Sequence, residues 1–246
     1  MKALAGQWRA EVMMSLRQGE QLLVSVGIPL LVLVFFSLVD VLPQRPATTG
    51  VSVKAVDSLA PSVLALAVMS TAMVSLGIGT GFERYYKVLK RLGATPLGRP
   101  RLILAKVAMV LTIEVAQLAI LLPVSFALGW RPGGRAALVL PAYVLGTAAF
   151  AGLGLYLAGT LKGTVNLAVC NALYLVLLLF GGIVIPPDRL PGVLGDVARV
   201  LPSGALSEVM FGALTPGAPF PTAAWLVLGG WAVLLPAVAA IFFRWE

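Results

Sequence analysis

Residues 83–96 read Glu83-Arg84-Tyr85-Tyr86-Lys87-Val88-Leu89-Lys90-Arg91-Leu92-Gly93-Ala94-Thr95-Pro96 and stand between two long apolar runs, 59–81 and 102–128. A hydrocarbon core of roughly 30 Å takes about 20 helical residues at about 1.5 Å each, so both runs are long enough to span. A basic polar segment between two such runs is held at one face of a membrane. Working outward, four more runs of spanning length follow the same rule, at 22–42, 136–160, 165–185 and 223–243. Backbone groups in lipid must be satisfied within the element, and no two-residue alternation suggests a barrel, so every span is predicted to be helical. The expected fold is an all-α integral membrane domain of six transmembrane helices occupying the single unit 1–246.

Composition agrees. The 246 residues are 59% hydrophobic and only 11% charged, and the mean hydropathy is +0.98, well outside the range of soluble domains. Nearly all of the length is used in spanning, which leaves no room for a soluble catalytic domain. The net charge of +8 needs no nucleic acid, because Lys and Arg collect beside spans on the cytoplasmic side. With both termini placed in the cytoplasm, 12 of the 18 Lys and Arg fall inside and six outside. The absence of His removes the commonest general base and transition-metal ligand, so no catalytic or metal site is expected. The one Cys, Cys170, cannot form an intrachain disulfide. Lys2, Arg9, Glu11, Arg17 and Glu20 precede a full-length span with no small-residue cleavage site after it, so the amino terminus is not read as a cleaved signal.

Three further features organise the chain. Leu4, Trp8, Val12 and Leu16 recur every four residues among charges, the pattern of a helix lying in the headgroup region, with a frayed, soluble amino-terminal tail as the simpler alternative. Small residues gather in the second span (Gly77, Gly79, Gly81) and the fourth (Gly146, Ala148, Gly152, Gly154, Ala158, Gly159), which suits close packing of helix backbones within the bundle or, alternatively, a dimer seam. The outer connection 186–222 is rich in Pro and Gly but carries an apolar face of Leu190, Val193, Leu194, Val197, Val200 and Leu201, so a short helix or re-entrant piece is expected there.

The basic segment itself carries the strongest functional signal. Tyr85, Val88, Leu89 and Leu92 give a short helix an apolar side beside Lys87, Lys90 and Arg91; Gly93 permits a stop and Pro96 blocks continuation. A positive anchor without a partner is the simpler alternative, but helix, stop and exposed leucines together favour a protein contact. Deeper in the membrane, Glu114 lies well inside the third span with Gln117 one turn on, a costly placement unless the carboxyl faces protein or water. It either lines a translocation route and meets a cationic substrate, or hydrogen-bonds to a neighbouring helix. Asn166 and Asn171 in the fifth span are read as helix-packing groups, with contact to the route as the alternative. Asp40 is read as interfacial.

Glu83-Arg84 with Leu89, then Leu92-Gly93-Ala94-Thr95-Pro96 and Lys106, resemble the loop of ABC-2 type permeases, the membrane subunits of type-2 ABC exporters, especially the antibiotic or multidrug branch. Phe180-Gly181-Gly182-Ile183-Val184-Ile185-Pro186, Leu190-Pro191, Val200-Leu201-Pro202 and Ala205-Leu206 continue the resemblance to the fifth-span exit and outer loop. One departure is Tyr85-Tyr86, where many members carry a charged residue and Gly. The resemblance implies a non-catalytic subunit of a prokaryotic inner membrane that exports an amphiphile such as a drug, antibiotic or lipid. It also implies two copies of a cytoplasmic ATP-binding subunit, a second permease of the same or a related chain, and ATP and Mg bound by the partner rather than by this chain. The chain has no G-x-x-x-x-G-K-[ST] phosphate loop of its own. In family terms 83–96 is a coupling helix, with Glu83 and Arg84 fixing it at the membrane edge and Leu89 and Leu92 entering the ATPase. A membrane-embedded lipid-modifying enzyme needs nucleophile, acid and base at one depth, and a secondary transporter needs paired broken helices; neither pattern is found.

Overall fold

The computed structural model describes residues 2–17, 19–39, 55–93, 98–133 and 135–245. All regular structure among them is helical. Helices α1 (Lys2–Arg17) and α2 (Gly19–Leu38) are followed by a rod made of α3 (Ala55–Met69), a π-helical segment Ser70–Ser75 and α4 (Leu76–Tyr85). Next come the short α5 (Val88–Gly93), the long α6 (Arg99–Ala127), α7 (Val139–Thr160) and α8 (Gly163–Phe180). The chain closes with α9 (Val193–Val200), α10 (Pro202–Leu214) and α11 (Thr222–Phe242).

Among the described residues, five helices are long and apolar enough to cross a membrane: Val56–Tyr85, Pro100–Ala127, Ala136–Thr160, Gly163–Phe180 and Thr222–Phe242. They match the expected second to sixth spans to within a few residues. The expected first span begins as α2, whose apolar part is the shorter Ser25–Leu38; its residues 40–42, Asp40 among them, lie outside the described residues. The fifth helix stops earlier than expected. Gly181 N donates to the Leu177 carbonyl and Gly182 turns left-handed at φ 80°, so 181–185 leave the helix. In the connection 186–222 α9 and α10 form one apolar pair bent by 78°, the geometry of a broken or re-entrant span. The short helix that the pattern predicted is α9, on which Val193, Val197 and Val200 lie exposed, and Trp231 Nε1 on α11 donates to the Val200 carbonyl at 2.7 Å.

The core is the α3–α4 rod with α7 laid against it. Leu64, Leu66, Met69, Met73, Phe150, Leu206 and Met210 are completely buried there. Close approach is what the small residues supply. A Cβ at Gly154 would stand 2.7 Å from the Met73 carbonyl oxygen, and one at Gly77 would stand 3.0 Å from the Gly154 Cα. On another side of α7, a Cβ at Gly152 would press on the α11 backbone at Leu235 and Pro236. These glycines are therefore used inside the chain, where lipid offers no hydrophobic drive and packing must hold the helices together. The π-helical turn, with its wider backbone, falls where Gly154 crosses.

Candidate functional site

Membrane helix α4 ends in Glu83 and Arg84, and each is tied to a different helix. Lys106 Nζ, on the second turn of α6, lies 2.6 Å from Glu83 Oε2 and 3.0 Å from Glu11 Oε2 on α1. Gln7 Nε2 also donates to Glu11 Oε1 at 2.8 Å. Glu11 and Lys106 are almost fully buried, so this Glu–Lys–Glu group is a clasp between α1, α4 and α6 rather than a solvated surface pair. Two more contacts extend the α1–α6 seam: Trp8 Nε1 donates to Thr112 Oγ1 at 3.0 Å, and Ser15 Oγ to Met109 Sδ at 3.4 Å. On the other flank, Arg84 Nη1 donates to the carbonyls of Ala158 at 2.7 Å and Leu161 at 3.1 Å, satisfying acceptors that the end of α7 leaves open.

Beyond Tyr85 the chain reverses through Tyr86 and Lys87 into α5. Lys87 adopts φ 60°, a left-handed conformation that costs a non-glycine residue about 1–2 kcal/mol. The short helix is present, but its leucines are not exposed as the sequence suggested. Leu89 is buried against Leu102, with Leu92, Phe243 and Trp245 packed around the pair. The reason is that a six-residue helix has too little backbone to hold itself, and it gains stability by docking its apolar side on α6 and the carboxy-terminal segment. What this element presents to water is Tyr85, Tyr86, Lys87, Val88, Lys90 and Arg91. Gly93 is its last residue, and Ala94, Thr95 and Pro96 lie outside the described residues.

The intramembrane polar residues are not gathered into one site. Glu114 is buried between α6 and α7, where Thr147 Oγ1 donates to its Oε2 at 2.7 Å; its Oε1 has no hydrogen-bond partner among the described residues. Gln117 is fully buried and its Nε2 donates to the Ser25 carbonyl at 2.8 Å, joining α6 to α2. Asn166 Nδ2 donates to the Gly77 carbonyl at 2.9 Å, and a Cβ at Gly81 would collide with that amide, so Asn166 fills a notch between α4 and α8. Asn171 points away from the bundle, its Nδ2 donating to the Leu167 carbonyl of its own helix at 3.0 Å. Sequence reasoning missed the burial of Glu11 and the partnership of Thr147 with Glu114. Spacing offered a faint signal for the first, since Glu11 is one turn beyond Trp8; nothing local points from Thr147 to a carboxyl 33 residues away.

One family model, that of the ABC-2 type transporter, matches residues 6–215, the stretch that contains most of α1, the clasped α4 end, the short basic α5 and the bent α9–α10 pair. The chain belongs to the ABC-2 type transporter family. It is thus an integral membrane protein and the transmembrane permease component of an ABC transporter, a transport subunit that is not itself catalytic. Membership implies association with an ATP-binding subunit. The match runs from the first turns of α1 to the residue after α10, so both the basic turn and the bent α9–α10 pair of this ABC-2 permease lie within it. No curated protein matches the chain.

Proposed function

We propose that this ABC-2 permease exports an amphiphilic substrate of the drug, antibiotic or lipid class across a prokaryotic inner membrane, with both termini in the cytoplasm. Two copies of a separate ATP-binding subunit hydrolyse MgATP, and a second permease, the same chain or a related one, completes the pathway. The observation that carries this reading is the double attachment of the α4 end. A push on α5 reaches α6 and α1 through Glu83 and Lys106, and reaches α7 through Arg84, so force on one short helix is shared among the membrane helices. Because Leu89 faces inward, the contact with the motor is assigned to the outward residues Tyr85, Val88, Lys90 and Arg91, with Leu92 and Gly93 shaping the end of the element. Glu114 with Thr147 is the polar group nearest in character to a cation-recognising element of the route, whereas Gln117 and Asn166 serve as ties between helices. Asn171, on the outer face of α8, is available to a second permease or to lipid.

Co-expression with the cognate ATP-binding subunit tests the reading. The double variant Val88→Asp/Arg91→Glu should insert and melt as the parent does, yet capture less ATPase and lose substrate-stimulated ATP turnover. Full capture and full turnover in that variant would remove α5 as the contact.

A further inference from the structure

A pocket of about 340 Å³ opens between the α4–α5 turn, the α7–α8 connection and the carboxy-terminal segment. Its wall carries four cationic residues, Arg84, Lys87, Lys90 and Lys162, and two aromatic ones, Tyr85 and Trp245; none of its lining residues is acidic. Arg84, Lys87 and Lys90 come from the α4–α5 turn, and folding brings Lys162 of the α7–α8 connection to the same space. Among the described residues, neither Lys87 nor Lys162 has a carboxylate within ion-pair distance. Like charges brought together repel, and an anion in the space between them relieves that repulsion. The left-handed backbone of Lys87 points the same way, because unfavourable conformations persist where a site uses them.

Depth identifies the anion. Buried Gly81 and Gly163 belong to the ends of membrane helices α4 and α8, so the pocket sits at headgroup level rather than out in solvent. Helix α8 opens there, with no side-chain cap on its first turn, and adds the positive end of an 18-residue helix. Tyr and Trp favour the same level, and basic pockets between membrane helices suit lipid phosphates. We propose that this pocket binds the phosphate of an anionic phospholipid headgroup, fixing a lipid against the turn that joins α4 to α5. The proposal goes beyond the transport reading and does not depend on it, since lipid retention is measured on the permease alone.

The test uses the purified full chain in detergent, with native mass spectrometry to compare retention of phosphatidylglycerol and phosphatidylcholine of identical acyl chains, and calorimetry with inorganic phosphate as a separate arm. The parent should favour phosphatidylglycerol by on the order of tenfold, as expected for several Lys and Arg at a headgroup. Lys87→Gln/Lys162→Gln should bring the ratio close to one, whereas Arg9→Gln/Arg101→Gln, which removes two exposed charges outside the pocket, should keep it. Equal retention of both lipids, with inorganic phosphate binding that Lys87→Gln/Lys162→Gln abolishes, supports the same phosphate chemistry from a soluble source. A preference that survives Lys87→Gln/Lys162→Gln, one lost equally in the Arg9/Arg101 variant, or binding of neither ligand overturns the proposal. So does a Lys87/Lys162 variant that keeps its lipid preference but no longer captures the ATP-binding subunit, which makes the pocket a protein dock.

Discussion

Lys106 Nζ lies 3.0 Å from Glu11 Oε2, and the contact joins α1 to α6 at a point where both side chains are shut away from water. Glu83 completes the group at 2.6 Å, so a single ammonium is shared by two carboxylates. Removing the ammonium therefore leaves two like charges facing each other, whereas removing one carboxylate leaves a matched pair. Lys106→Met should destabilise by about 3–5 kcal/mol, the usual effect of breaking a buried ion pair. Glu11→Gln, which keeps an oxygen to accept from Lys106, should cost about 1 kcal/mol. Thermal unfolding in detergent gives the ranking; a Lys106→Met protein as stable as the parent would show that the clasp holds nothing.

The α4–α7 crossing makes a second prediction. Gly154→Ala would bring a methyl to 2.7 Å from the Met73 carbonyl oxygen, a backbone atom that cannot swing aside. The expected loss is about 1–3 kcal/mol, the range for overpacking. Gly230→Ala on α11 meets nothing within 4 Å and should stay within about 0.5 kcal/mol of the parent. Equal melting of the two variants would mean that the crossing can open to take a side chain.

Leu89 separates packing from partner contact. It is 1% exposed against Leu102, so Leu89→Ala should lower the stability of the α5 region by about 2–5 kcal/mol. Hydrogen exchange over 85–93 should rise even in the absence of any ATP-binding subunit. Unchanged protection in the isolated permease, with loss of ATPase capture, would instead return Leu89 to the docking surface.

Thr147 and Glu114 allow the buried carboxyl to be read in two ways. Glu114→Gln keeps an oxygen for the Thr147 hydroxyl and should leave assembly and melting close to the parent while altering transport of cationic amphiphiles. Thr147→Val removes the donor and should cost about 1–3 kcal/mol, because the acceptor stays buried. If Glu114→Gln transports every cation tested at the parental rate, the carboxyl serves only to join α6 and α7.

The membrane class and five of the spans were legible in 246 letters because the bilayer imposes one requirement on every segment: enough apolar length, with all backbone groups bonded internally. The basic turn was legible too, since charge cannot be hidden inside a span at low cost. Spacing could also say that Gly154 and Gly77 belong to packing faces, though not that they meet each other.

Long-range geometry decided the rest. An apolar residue on a six-residue helix reads alike whether it faces water or a neighbour, and only docking on Leu102 of α6 and on the returning carboxy-terminal segment turned Leu89 inward. Likewise Glu11 looks like any headgroup charge until α6 brings Lys106 beneath it, 95 residues away in the chain. Hydropathy is a property of each segment alone and was fixed by sequence. Which polar atom finds which partner depends on how segments are set side by side, and that was fixed only by the tertiary structure.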